Sequence, residues 1–308
     1  MARRRKGNPV HGWVILDKPV GMTSTKAVAE VKRAFNAQKA GHGGTLDPLA
    51  SGILPIALGE ATKVVSFIMD GTKTYRFTVC WGAETETDDA EGDTVETSDL
   101  RPSRQDIESL LPAFTGEISQ VPPRYSAIKV DGARAYDLAR GGEAVELQPR
   151  LVDIARLDLI DMPDGDHAVF EAECGKGTYV RAIARDLGQS LGCFGHVSAL
   201  RRTCIGALGE DDMISLDKMN GLRHIGAGFE PMEQLLRPVE TALDDIPALA
   251  VSSADAARMK QGQTVILRGR DAPILCGTVF VRSRGTPVAL AEVKQGALHP
   301  KRVFNLTN

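Results

Sequence analysis

Aromatic side chains are scarce in this sequence, at 5% of 308 residues, so any aromatic in a polar neighbourhood stands out. Long apolar runs are missing too: none approaches the roughly 20 residues that a membrane-spanning helix needs. The basic start, Met1 to Lys6, has no apolar stretch behind it and does not read as a signal peptide. The expectation is a cytoplasmic protein without a membrane partner. The five cysteines, Cys80, Cys174, Cys193, Cys204 and Cys276, contain no CxxC pair. An odd set without metal spacing reads as reduced thiols in core positions, not as a zinc site or a disulfide framework. A P-loop and a GxGxxG fingerprint after a strand are also absent, which removes the usual nucleotide-cofactor signatures. Nor is there an excess of basic charge: the formal net charge is −3 and the pI about 6.1, which argues against a broadly basic nucleic-acid-binding surface. Basic residues still cluster locally, in Arg3–Lys6, in a scatter of Arg124, Lys129, Arg134 and Arg140, and in the pair Arg201–Arg202. Each of these, taken alone, reads equally well as solvated surface charge.

What is present is an ordinary globular composition, 43% hydrophobic and 25% charged, long enough for one large core and a smaller domain. A helix is expected from about Thr25 to Phe35, with Val28, Val31 and Phe35 on one face and Thr23 to Thr25 as candidate caps. The glycine-rich turn GHGGTLDPLASG, from Gly41 to Gly52, follows, then an apolar segment and a helix near Ala61–Met69. Thr74–Trp81 alternates as a half-buried strand with Tyr75, Phe77, Val79 and Trp81 pointing one way. Glu84–Glu96 is acid-rich and lacks EF-hand spacing, so it reads as a solvated connection. A glycine-punctuated polar region from Pro122 to about Arg150 suggests a mobile insertion. Ala168–Cys174 alternates as another strand. After it, Val180, Ile183, Ala184, Leu187 and Leu191 form the apolar stripe of a helix that begins near Thr178. Two short helices are expected between about 206 and 248. The pattern then turns β-rich, with strands at Thr278–Val281, Val288–Val293 and Lys301–Phe304, which reads as a small separate domain over 249–308.

Asp47 is the sharpest candidate for chemistry. Pro48 biases it away from helical angles, and glycines at 41, 43, 44 and 52 let the chain pass close to a ligand. A carboxylate in such a turn can act as nucleophile or base, but the local pattern alone favours an aspartate that merely caps the turn. Arg181 shifts that balance. It sits in the first turn of its helix, where a cation opposes the macrodipole by about 0.3–1 kcal/mol. A carboxylate or phosphate partner would explain it, and an arginine beside Asp47 would keep the acid ionised. A solvated arginine whose stem covers the helix remains an equal reading. Tyr75 and Tyr179 suit either a core with satisfied hydroxyls or a platform for a displaced base. His42, between two glycines, suits RNA contact or a local hydrogen bond.

Together these pieces resemble one family. GWVILDKPVGMTS and AGHGGTLDPLASGILPIALGEATK, within His11 to Lys63, are similar to the TruB-type tRNA pseudouridine-55 synthases. KTYRFTV, PPRYSAIKVDGARAYDLAR, CGKGTYVRAIARDLG and HVSALRR follow in the family's order, so the resemblance is strong over about residues 11–205. It implies an α+β fold, a mixed-sheet core over 11–248 behind a basic arm at 1–10. An RNA-binding insertion at about 122–150 and a small β-rich PUA-like domain over 249–308 complete it. It implies Asp47 as the catalytic aspartate, Tyr75 as the residue stacked on the target base and Arg181 as the aspartate's partner. Tyr179 would share that pocket, and His42 would occupy the T-loop once the uridine leaves. Lys18 and Pro19, of the LDKP motif, would support the pocket wall, and Leu200 would line it. Arg124, Lys129 and Arg202 would contact RNA.

The implied reaction breaks the N1–C1′ bond of a uridine in the tRNA T stem-loop, turns the uracil and forms a C5–C1′ bond. That isomerisation needs no cofactor and no metal, and a monomer is the family's expectation. Extruding the base costs a few kcal/mol. The carboxylate's target (uracil ring, C1′ or a ribose proton) stays open, as does Tyr75 as base or relay for the C5 proton. Two other classes compete. A two-carboxylate hydrolase would need a second acid beside Asp47, for which Asp17 and Glu60 are the nearby candidates. A catalytically silent RNA-binding module would tolerate Asp47→Ala.

Overall fold

The computed structural model describes residues 7–126, 128–130, 133–134, 147–224, 230–267 and 276–306. The basic arm Arg3–Lys6, Arg140 and most of the expected insertion lie outside them. Among the described residues the main sheet has nine strands. They are β1 (Gly12–Lys18), β2 (Ala40–His42), β3 (Ala50–Leu58), β4 (Lys73–Trp81), β7 (Gly116–Gln120), β10 (Arg150–Asp161), β11 (His167–Cys174), β12 (Gly195–Ile205) and β13 (Ile214–Ser215). Outside it, β5 (Ala83–Thr85) pairs with β6 (Thr94–Thr97), and β8 (Lys129–Val130) with β9 (Ala133–Arg134). The order across the main sheet is β13-β1-β3-β12-β4-β11-β10-β7, with β2 also on β3. β1–β13 and β3–β12 run parallel and the other described pairs of this sheet antiparallel, so the sheet is mixed and the class α+β.

The alternating pattern read from the sequence places β4 correctly: Phe77, Val79 and Trp81 are buried while Arg76 is exposed. The first helix, α1 (Ser24–Ala34), is capped by the Thr23 hydroxyl, which accepts from the Lys26 N–H. The single helix expected at 61–69 is two elements, a 3₁₀ turn at Gly59–Lys63 and α2 (Val65–Asp70). Helix α3 (Arg104–Leu110) follows, then α4 (Val180–Ser190) with Val180, Ile183, Ala184 and Leu187 buried. α5 (Leu216–His224) and α6 (Glu230–Glu233) are the two short helices expected before 248.

Both faces of the sheet are covered. Val14, Leu16, Leu54, Ile56, Phe77 and Val79 pack with α1 and α4 on one face. On the other, Trp13, Ile15, Ile53 and Ala57 pack with Phe280 and Leu290 from a second, five-stranded sheet and with Phe304, which directly follows its last strand. This sheet comprises β14 (Ala248–Ala250), β15 (Val265–Ile266), β16 (Gly277–Ser283), β17 (Thr286–Lys294) and β18 (Ala297–Val303), beside α7 (Ser253–Lys260). It has a core of its own around Met259, Val279 and Val281, and it shares another with the back of the main sheet. Of the five cysteines, Cys174 and Cys193 fill the core as expected; Cys276 is exposed, so the core reading fails there.

Candidate active site

The geometry of Asp47 begins with how β3 fills its hydrogen bonds. One edge of β3 pairs with β12 at Ala50–Gly52 and with β2 at Ile56–Leu58. Between those stretches the Gly43 N–H donates to the Pro55 carbonyl at 2.7 Å, and Arg202 Nε donates to the Ile53 carbonyl at 2.8 Å. The chain therefore leaves the sheet after His42 and returns at Ala50, with Asp47 in the intervening loop. Gly52 makes the return possible. Its φ is +97°, and a Cβ there would lie 2.2 Å from the Arg202 carbonyl oxygen.

The β1–α1 connection grips the loop from below. Lys18 is fully buried, and its ammonium donates to the carbonyls of Pro19 at 2.9 Å, Met22 at 2.7 Å and Pro48 at 3.4 Å. Burial lowers its pKa to about 8, against the opposing pull of Asp47. The Ser24 hydroxyl donates to the Leu46 carbonyl at 2.9 Å and accepts from the Leu46 N–H at 2.8 Å. The Gly21 N–H donates to the Pro48 carbonyl at 2.8 Å. The LDKP motif is thus a support for the Asp47 loop, and within it Pro19 itself is exposed.

Arg181 meets Asp47 from above. Its Nε lies 3.0 Å from Asp47 Oδ2. The N–H is not aligned on that oxygen, so the contact is an ion pair without a directed hydrogen bond. The arginine side chain is 6% exposed and the aspartate's 35%, which leaves the carboxylate reachable and its partner fixed. The other guanidinium nitrogens donate to the Thr87 carbonyl at 2.8 Å and the Tyr125 carbonyl at 2.9 Å, and one lies 3.5 Å from Asp89 Oδ2. The reading of Arg181 as a solvated surface arginine is therefore excluded.

The acidic segment at 84–96 is not a purely solvated connection. Asp88 and Asp89 at its centre are buried. Asp89 Oδ1 accepts from the Thr87 hydroxyl at 2.6 Å and the Glu91 N–H at 3.0 Å, while Asp88 pairs with Arg185 at 3.0 Å. Burial pushes the Asp88 carboxyl up to about 6, against the pull of Arg185 and Arg181. An acid run looks solvated in sequence because the arginines that neutralise it lie about 90 residues away in the chain.

Tyr179 is the N-cap residue of α4. Its N–H donates to Gln120 Oε1 at 2.8 Å and its carbonyl accepts from Gln120 Nε2 at 3.1 Å, so one buried amide fixes the helix entry. Burial raises the pKa of both Tyr75 and Tyr179, against the opposing pull of Arg202 on the first and of Ser126 and Arg181 on the second. His42 is half-buried, and burial together with Arg202 holds its imidazole below the usual range. Leu200 lines a cavity of about 300 Å³ with Val20, Leu49 and Phe77, flanked by Arg76 and Arg201.

Other expected residues lie elsewhere. Arg202, expected to contact RNA, is 1% exposed and donates to the carbonyls of Ile53 and Gly44; it braces the loop from inside. Arg124 is exposed, and Lys129 lies in β8. The two acids named from the sequence as partners for a hydrolase are paired with other residues: Asp17 with Arg201 at 3.0 Å and Glu60 with Lys63 at 2.6 Å. Sequence reading missed Asp89, Gln120 and Ser24. Only Ser24 carried a signal, as one of three candidate caps.

Residues 32–180 match the TruB family pseudouridylate synthase N-terminal domain, and residues 181–244 the tRNA pseudouridylate synthase B C-terminal domain. The tRNA pseudouridine synthase B of Bradyrhizobium diazoefficiens is 64% identical, over 99% of this chain and 91% of its own length. That of Caulobacter vibrioides is 54% identical over the whole of both chains. Among solved structures, a chain of an H/ACA RNP bound to a substrate RNA containing 2′-deoxyuridine superposes with a TM-score of 0.73 at 25% identity, over 99% of this chain and 92% of that one. A chain of a Cbf5-Nop10-Gar1 complex gives 0.71 at 27%, over 95% and 84%. By its motifs, its fold and this degree of identity along its length, the chain belongs to the TruB family of pseudouridylate synthases, isomerases that act on tRNA uridine.

Proposed function

We propose that this enzyme isomerises the uridine at position 55 in the T-loop of tRNA, everting the base and using Asp47 as its essential carboxylate. The observation that carries this reading is the pairing of a reachable Asp47 with a buried Arg181, at 3.0 Å. The guanidinium sets its positive charge against the carboxylate, and its own bonds to Thr87 and Tyr125 keep it from following the carboxylate away. A charged, oriented carboxylate can add to the uracil ring, attack C1′ or remove a ribose proton. In each case the N1–C1′ bond breaks, the uracil turns and C5 bonds to C1′. C5 gives up a proton and N1 gains one, so the reaction is redox-neutral.

Tyr75 stacks on the everted base, an arrangement worth about 1–3 kcal/mol that offsets part of the cost of extrusion. Tyr179 closes the same pocket and Leu200 packs against its wall. His42 fills the space that the uridine leaves in the T-loop. Lys18 supports the pocket wall by holding the carbonyls of Pro19, Met22 and Pro48. Arg124, Lys129 and the insertion at about 122–150 grip the T stem-loop, and 249–308 acts as a small PUA-like unit beside a catalytic unit at 11–248. The enzyme works as a monomer and without a cofactor.

Asp47→Asn is the decisive variant. It should bind unmodified tRNA with near-parental affinity and lose turnover by several orders of magnitude, on the order of what removal of a catalytic group costs. Single-turnover assays with chemical mapping of pseudouridine measure both quantities and locate the modified base. Appreciable pseudouridine from the Asn variant, or modification at another position, would refute the reading.

A further inference from the structure

Helix α4 carries arginines at 181 and 185, one turn apart, so both guanidinium groups leave the same face. Arg181 holds two segments besides Asp47: the acidic turn, through the Thr87 carbonyl, and the start of the polar region after β7, through the Tyr125 carbonyl. Arg185 holds the same two segments one turn further on. Its NH1 donates to Asp88 Oδ2 at 3.0 Å, its NH2 to the Val121 carbonyl at 2.8 Å and its Nε to Asp186 at 2.8 Å.

Asp88 is built for that contact. It is 6% exposed and adopts a φ of 60°, left-handed backbone that Asp and Asn enter more readily than other side chains. A buried carboxylate needs a counter-charge, which Arg185 supplies. The Asp88 carbonyl accepts from the Val197 N–H at 3.1 Å, so the turn is also tied to β12. The pair is largely withdrawn from solvent: Asp88 is buried, its side chain 8% exposed, and the Arg185 side chain is 13% exposed.

We propose that the Arg185–Asp88 pair positions the site for pseudouridine formation. It locks the acidic turn and the residues that open the insertion onto α4, and so keeps Arg181 aligned on Asp47. This rests on the reading that Asp47 and Arg181 act at the reacting base. Arg185 touches neither Asp47 nor the substrate; it acts through the segments that Arg181 shares with it. Without it the Asp88 carboxylate and the Val121 carbonyl lose their donor and both segments relax. Because both side chains are spent on contacts within the protein and offer little surface of their own, the loss falls on the chemical step and spares affinity for RNA.

The test compares the full-length enzyme with Asp88→Asn, Arg185→Gln, Arg185→Lys and Asp47→Asn on unmodified tRNA. It measures the single-turnover rate at saturating enzyme, Kd for tRNA and the thermal midpoint. Asn at 88 keeps the left-handed turn and an acceptor for Arg185, so this variant folds even if Arg185→Gln does not. Asp88→Asn should slow the reaction about 10-fold and Arg185→Gln about 10–100-fold, the scale of a sub-ångström to 1 Å misplacement of reacting groups, with Kd within about threefold of parent. Arg185→Lys keeps the charge opposite Asp88 but not the second arm, and should recover only part of the Gln loss. Rates within about twofold of parent for Asp88→Asn and the folded Arg185 variants, with Asp47→Asn inactive, would overturn the proposal, as would a loss confined to Kd or to the folded fraction. An active Asp47→Asn would instead overturn the reading beneath it.

Discussion

Lys18 reaches three carbonyl oxygens with one buried ammonium group, and one of them belongs to the residue after Asp47. Lys18→Met preserves the stem and removes every donor, leaving acceptors whose loss of a partner costs about 1–3 kcal/mol each. The variant should unfold at a lower urea concentration. Its pH dependence is a sharper check, because burial lowers the parent's Lys18 pKa from 10.5 to about 8. Below about 8 both the folded and unfolded chains hold that proton, so it contributes no slope. Between about 8 and 10.5 the unfolded chain holds it and the folded chain does not, so the parent gains stability as pH rises. The stability gap between parent and Lys18→Met should therefore widen from pH 7.5 to pH 10 in denaturant titrations. A constant gap would place the lysine in an ordinary solvated setting.

At the scale of the element, the turn that returns the chain to β3 makes a graded prediction. Gly52 and Gly116 both have a positive φ, +97° and +88°, but only Gly52 faces a neighbour, the Arg202 carbonyl. Gly116→Ala should cost about 1 kcal/mol, the backbone penalty alone. Gly52→Ala adds a collision with main chain and should cost about 3 kcal/mol or more, with reduced turnover, since strain of this kind is tolerated only where the surroundings enforce it. Thermal denaturation of the two variants measures the difference. Elements of this kind were legible in the sequence to different degrees. β4 and α4 showed clean periods of 2 and 3.6 because each buries one side against a continuous core. The LDKP segment and the glycine-rich turn announced themselves by composition, and Arg181 by being a cation in the wrong turn of a helix. Asp88 and Asp89 did not, because burying a carboxylate depends on partners from a distant helix, which local pattern cannot supply. Arg202 misled for the same reason: beside Arg201 it looks like half of a basic patch, yet alternation along β12 sends the two side chains to opposite faces, one to Asp17 and one to the carbonyl of Ile53.

At the scale of the whole molecule, the two sheets are joined by more than chain connectivity. Phe304 is fully buried, sits edge-on to Phe280 at 6.2 Å between ring centroids, and packs in the cluster that contains Trp13 and Ile53. Lys63 donates to the Val303 carbonyl at 2.7 Å and Glu60 accepts from the Asn305 N–H at 2.7 Å, which pins the end of β18 to the turn after β3. Phe304→Ala should destabilise the protein by about 3–5 kcal/mol. Because the cavity opens against the main sheet, the transition should stay single and move as a whole. Calorimetry that resolves a separate early transition for the second sheet would show that the shared core carries little of the coupling.

One strand passes through every part of this arrangement. β3 is buried along nearly its whole length, with apolar contacts on both faces. Its first residues follow the Asp47 loop and its last lead into the turn that holds β18. At about 3.3 Å per residue it is a rod of roughly 30 Å, anchored at each end and dry in between. Its amide hydrogens should therefore exchange with solvent only when the molecule opens as a whole. The aspartate is thus moored to a strand whose amides hydrogen exchange should find among the best protected, and the motions that admit and release a substrate are expected from the pieces around it.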